Sequence, residues 1–310
     1  MVERPSIHII YLNDNQEPPP ALTMFLFPRA LEIMETIMKL ESPLLITDIM
    51  GQHPCFNDRA HDSVGRIHLP VAPQCNIQCN FCEHRMCAGI RHPGWAARLL
   101  SVTEAVDFVQ SIVNERQTYD FVVGIAGPGD ALANEEAFKT LALIHEWYPQ
   151  IAGCLCTNGL LLEDRLEAIT GAGVRALTVT VNAADSTVGK DIYSRVKYRG
   201  TIYRGEEAAV LLIAKQFGGI SKALRAGLVV KVNTVLIPGV NDRHMIKLSK
   251  RLRETGVGLM NIVPLIPSGK MKDLRAPTCD ELKEARRICG EIIPQFYRCE
   301  QCRADVVYLP

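Results

Sequence analysis

The chain has 310 residues with 34 Lys plus Arg against 34 Asp plus Glu, and this zero formal charge does not suit a general binder of nucleic acid. Hydrophobic residues make up 47%, enough for a sizeable core, yet no apolar run reaches the roughly 18 to 20 residues of a membrane span. The opening residues lack a basic-then-apolar leader, so a cytoplasmic setting is expected, where the eleven cysteines point to metal ligation or catalysis rather than disulfides.

Residues 1–63 read as an N-terminal extension. Within it Pro18-Pro19-Pro20 suggests a linker, apolar residues over 21–40 recur at the spacing of an amphipathic helix, and His53-Pro54-Cys55 supplies the first thiol. From Ile67 onward short β-branched runs alternate with amphipathic segments. Strands are predicted at 67–72, 121–126, 152–157, 176–181, 229–236 and 258–264, most of them apolar enough for burial on both faces. Helices are predicted at 103–116, 135–147, 164–170, 206–217 with 221–226, 242–255 and 278–290, with Asn134, Asp164 and Thr278 as N-caps. Six βα units predict an α/β fold, a partial (βα)6 barrel of TIM type over 64–266, although a doubly wound sheet leaves much the same trace. Residues 267–310 follow as a helix and tail, and the two extensions are expected to cover the barrel mouth. In either architecture the chemistry collects on loops at the C-terminal strand ends.

The first such loop is Cys75-Asn76-Ile77-Gln78-Cys79-Asn80-Phe81-Cys82. Three thiolates at this spacing can converge on one [4Fe-4S] cluster and leave its fourth iron open. An open iron can chelate S-adenosylmethionine (SAM), whose one-electron cleavage yields a 5′-deoxyadenosyl radical. A zinc knob completed by Cys87 or His84 is the alternative. The loop resembles that of the radical SAM superfamily, and other parts expected from that resemblance follow in order. Gly127-Pro128-Gly129-Asp130 looks like the glycine-rich segment that meets the SAM amine, where missing side chains let backbone carbonyls approach. Asn182, and Asn233 with Ile237-Pro238-Gly239, stand where ribose and adenine would be met; ordinary turn chemistry is the competing explanation for both asparagines.

Thiols beyond these three remain. Cys299 and Cys302, a C-x2-C pair, could hold a second cluster with Cys87, and Cys55, His68 and Cys154 could hold a third, although a lone strand histidine is ordinarily a satisfied core residue. In these positions, and in 124–134 (GIAGPGDALAN), Thr157-Asn158-Gly159, Tyr203-Arg204-Gly205-Glu206-Glu207, Lys231-Val232-Asn233 and Cys302-Arg303-Ala304-Asp305, the chain resembles the NifB family of nitrogenase-cofactor maturases, without a NifX-like domain. The resemblance implies a lyase-type carbide synthase of nitrogen fixation. Two [4Fe-4S] substrates, K1 and K2, would be fused with a SAM-derived carbide and an added sulfur into the [8Fe-9S-C] precursor of the iron-molybdenum (FeMo) cofactor. One SAM would give its methyl to a cluster sulfide, and a second would yield the radical that takes hydrogen from that methyl. By position the resemblance assigns Cys55, His68 and Cys154 to K1, and Cys87, Cys299 and Cys302 to K2. It also implies a cluster donor, an electron donor and a carrier or scaffold protein as partners.

Cys154 matches better than Cys156 because it stands four residues before Asn158, and Cys156 is expected on the opposite strand face. One segment departs from the family: Glu-Ser-Arg-Pro-Gly-Val is replaced by Ile90-Arg91-His92-Pro93-Gly94-Trp95, which removes a carboxylate and a hydroxyl. Two other readings stay open, a radical SAM enzyme whose auxiliary clusters serve chemistry on a peptide or small molecule, and a non-catalytic iron–sulfur scaffold or carrier.

Overall fold

A computed structural model describes residues 51–310, so the helix expected at 21–40 and the Pro-rich linker lie outside the described residues. Ten strands are found there: β1 (Gly65–His68), β2 (Ile77–Cys79), β3 (Phe121–Ile125), β4 (Ala152–Thr157), β5 (Val174–Thr180), β6 (Tyr193–Tyr198), β7 (Thr201–Tyr203), β8 (Val229–Leu236), β9 (Leu259–Pro264) and β10 (Val307–Tyr308). Six of them run parallel in the order β1-β3-β4-β5-β8-β9. Their order never reverses, so the sheet curls into an open half-barrel and not into a doubly wound sheet.

The sheet has two unlike faces, because side chains alternate along each strand. Ile67, Val123, Leu155, Leu177, Val179, Val230, Val232 and Met260 face the crossover helices and join the main hydrophobic core. The concave face carries Cys154, Ala176, Val229 and Leu259 low in the barrel, where Phe56 and Phe296 pack against them as a small plug. Above the plug this face is polar. Strand pairing builds the concave face in rows, first His68–Gly124–Cys154–Ala176–Val229, whose last three residues belong to the plug, then Cys156–Thr178–Lys231.

The helix Val102–Arg116 opens with a capping box of Ser101 and Glu104, and Cys279–Gly290 opens with one of Thr278 and Glu281. Two predicted caps do other work. Asn134 makes no cap bond; its side chain is bonded to the backbone of Gln74 and Asp130. Asp164 lies ahead of the helix Leu166–Gly171 and accepts from Tyr198 and Arg199 instead. The two helices predicted over 206–226 are one, Gly205–Arg225. Gly219 does not break it, since a Cβ there would sit 2.8 Å from the Cβ of Leu162; the glycine serves close packing.

A second sheet, β2-β6-β7, was not foreseen. It pairs Ile77 with Val196 and Gln78 with Arg195, which ties the cysteine loop to the hairpin inserted after β5. The C-terminal segment crosses the open side of the half-barrel. Gln295 bridges to Met260 of β9, and β10 pairs antiparallel with β1.

Candidate functional site

The concave face encloses a cavity of about 330 Å³, walled by β-strand rows on one side and by the cysteine loop and the C-terminal segment on the other. Cys75, Cys79 and Cys82 all line it. Backbone bonds fix their loop from several sides: Asn80 N–H to the Ile192 carbonyl (2.8 Å), Lys197 N–H to Asn76 (2.7 Å), and Met271 N–H to Asn80 (3.1 Å). Gln78 adds side-chain bonds to the carbonyls of Cys79 (3.0 Å) and Cys82 (2.9 Å). Burial pushes the Cys75 thiol up to about 12, with Asp130 adding to it, and holds Cys79 well above the usual thiol range, with Cys82 and Cys75 adding to it. Thiols held up in this way, as at Cys75 and Cys79, are a poor resting arrangement but suit a metal cluster, which stabilises thiolates. Among the described residues no three His, Cys, Asp or Glu side chains, Cys75, Cys79 and Cys82 included, are gathered closely enough for a single metal ion.

The Gly127–Asp130 turn meets the same loop from the β3 side. Gly129 N–H bonds the Ala72 carbonyl at 2.6 Å and Asp130 N–H bonds Gln74 at 2.8 Å. A Cβ on Gly129 would lie 2.2 Å from the Gln74 oxygen, so only glycine allows this approach. Pro128, Gly129 and Asp130 line the cavity, whereas Gly127 is not among its lining residues and packs on Gly94 and Ala304. The Asp130 carboxylate is spent internally, accepting from Thr157 Oγ1, Asn158 N and Leu132 N. Burial pushes it up to about 6 despite these donors. Asn182 and Asn233 line the cavity on the far wall. Asn182 Oδ1 accepts from Val235 N (2.8 Å) and its Nδ2 has no partner among the described residues, while Asn233 Oδ1 accepts from Asn261 (3.0 Å).

Cys55, His68, Cys154, Cys299 and Cys302 line the cavity as well. His68 Nδ1 donates to the Arg303 carbonyl at 2.9 Å, which leaves Nε2 with its lone pair. Gly124 makes the room beside it: a Cβ there would be 2.7 Å from Cys154 Sγ and 3.6 Å from His68 Nε2. Cys156 corrects an expectation. It lines the cavity together with Cys154, since residues two apart on a strand share a face. Cys87 differs from the other candidate ligands, being absent from the lining. Its N–H donates to the Ala96 carbonyl and its carbonyl accepts from Arg303, beside a second pocket formed by 88–91, Glu300, Cys302, Arg303 and Val306.

Three further wall residues were named from the sequence only within motifs and given no role. Asn158, 9% exposed, donates to Asn76 Oδ1 (2.7 Å) and lies 3.8 Å from Cys75 Sγ. Lys231 is buried among the lower cysteines. His92, in the departing segment, faces the cavity and stacks on Trp95 with ring centroids 4.4 Å apart. The segment is anchored at its end, Trp95 being buried with its Nε1 donating to the Glu83 carbonyl and its carbonyl accepting from Ala304 N–H.

The model of the Radical SAM superfamily matches residues 69–252. The FeMo cofactor biosynthesis protein NifB of Methanocaldococcus infernus is 44% identical over 273 residues, covering 87% of this chain and 89% of that protein. Its namesake in Methanocaldococcus jannaschii is 46% identical over 259 residues, covering 83% and 86%. The crystal structure of Streptococcus suis SuiB shares the fold at a TM-score of 0.53 and 11% identity, over 77% of this chain and 51% of that one. With a half-barrel of this order, a cavity at its cysteine loop and relatives this similar over most of their length, the chain belongs to the radical SAM superfamily and, within it, to the NifB family of FeMo cofactor biosynthesis proteins.

Proposed function

We propose that the protein fuses two [4Fe-4S] substrates, K1 and K2, with a SAM-derived carbide and one added sulfur into the [8Fe-9S-C] precursor of the nitrogenase cofactor. One observation carries this reading: eight of the nine candidate ligands, all but Cys87, share a single cavity. Cys75, Cys79 and Cys82 would hold the resident cluster, which would supply an iron open to SAM and the electron for its reductive cleavage. The backbone of 127–130 receives the SAM amine, and Asn182 and Asn233 face the nucleoside. Cys55, Cys154 and the free Nε2 of His68 take K1, the histidine being oriented by its bond to Arg303. Cys299 and Cys302 take K2, and Cys87 joins them by a turn of the 87–91 loop. The barrel over 64–266 carries most of the site, and His53, Cys55, Cys299, Gln301 and Cys302 of the flanking segments complete its lining. A cytoplasmic setting, a cluster donor, an electron donor and a carrier or scaffold protein belong to the same reading.

Anaerobic reconstitution tests it. About twelve irons per monomer are expected, with about four lost when Cys299 and Cys302 are both replaced. Incubation with SAM and dithionite then yields S-adenosylhomocysteine, 5′-deoxyadenosine and a product that activates cofactor-deficient nitrogenase. The position of Cys87 outside the cavity favours a second reading, a radical SAM enzyme with auxiliary clusters acting on a peptide or small molecule. In that case iron stops at about four or eight per monomer and nitrogenase stays inactive.

A further inference from the structure

Lys231 has no part in the assignments above. It sits within β8 at 3% exposure, the single buried lysine among the described residues. Its Nζ donates to the Cys55 carbonyl at 2.7 Å and stands 5.1 Å and 4.9 Å from the ring centroids of Phe56 and Phe296. No carboxylate pairs with it among the described residues. A cation withdrawn from water without a counter-ion is costly, and one neutral carbonyl with two ring faces offsets that cost only in part. The fold itself does not ask for a charge here. Val229, two residues earlier on the same face, and Leu259, its neighbour in register on β9, show what ordinarily fills such a slot.

The register also shows what the ammonium faces. Lys231 lies beside Thr178, which lies beside Cys156, one row above Cys154. Cys55, Cys154 and Cys156 share the cavity wall with it. We propose that Lys231 is a positioning residue for K1: its ammonium fixes the Cys55 backbone and supplies the counter-charge for the anionic iron–sulfur core held at Cys55, His68 and Cys154. The inference rests on the reading that K1 occupies those three residues. At a buried position such a charge is screened less than in water, and it stabilises the more negative, reduced state of the core.

The test uses the full chain, reconstituted anaerobically, with Lys231→Met and Lys231→Arg. Iron per monomer and the midpoint potential of each cluster are followed by electron paramagnetic resonance, with the resident-cluster signal as internal reference. Lys231→Met is expected either to lose about four irons or to keep them with the K1 potential displaced to more negative values, and Lys231→Arg to recover the wild-type behaviour. The iron-free Lys231→Met protein is expected to melt no lower than wild type, because a buried cation has been removed. Unchanged iron content and potential in Lys231→Met overturn the proposal. So does an Arg variant as defective as Met, or an iron-free Met variant that melts lower, which makes Lys231 a structural tie. Wild type that never binds more than four irons refutes the parent reading, and this inference with it.

Discussion

The two faces of one sheet obey different rules. On the helix side Ile67, Val123, Leu155, Leu177 and Val232 are buried hydrocarbon, each at 1% exposure or less. On the concave side the same strands present His68, Cys154, Cys156, Thr178, Lys231 and Asn233, groups that fill a barrel poorly and hold ligands well. One face therefore supplies the folding free energy, and this frees the other to carry thiols, an imidazole and an ammonium that contribute little to it. The difference lies in a shift of one residue along each strand.

Substitutions on the two faces separate the roles. The largest effect is expected for Cys79→Ala on the cavity side: 5′-deoxyadenosine formation falls by at least roughly 100-fold, while the far-ultraviolet circular dichroism of the iron-free protein is unchanged. Leu177→Ala, on the helix side of β5, does the reverse and costs about 2–5 kcal/mol in urea unfolding of the iron-free protein. Asp130 lies where the faces meet, and pH sharpens its place in the comparison. Its carboxyl sits at about 6 in the fold against an ordinary 3.8, so between those values the folded state keeps a proton that the unfolded chain has released. Stability of the iron-free protein thus falls by about 3 kcal/mol as pH rises from about 4 to 6, and Asp130→Asn removes that slope in a urea-unfolding series. The smallest effect is expected far from both faces: Thr278→Ala breaks a capping box and costs about 1 kcal/mol, with iron content unaltered.

These rules also explain what the sequence could say. The helix-facing residues made the strands legible, because β-branched and aliphatic residues recur wherever a strand backs onto a helix; 152–157 and 229–236 emerge with the boundaries they were given. The radical SAM loop was legible for a different reason, since cysteine spacing is fixed by cluster size and by no other packing need. The concave face leaves no such trace. A lysine inside an apolar run, as in Lys231-Val232-Asn233, reads as a solvent-facing position until curvature turns it inward. Cys156 was put on the wrong face although strand periodicity alone places it with Cys154. The β2-β6-β7 sheet escaped because three residues such as Ile77-Gln78-Cys79 are too short to show a period. Asn134 carried a capping signal, but a tertiary partner at Gln74 won its side chain.

The segment that crosses the open side has a bearing on how the protein is made. Arg66 of β1 and Glu300 are bonded at 2.6 Å across 234 positions of sequence, and β10 reaches the β1 edge only beyond that point. During translation the trough and the Cys75, Cys79 and Cys82 loop therefore emerge long before the strip that roofs them. A ligand arriving before residues 295–308 have emerged would meet a cavity open along one flank.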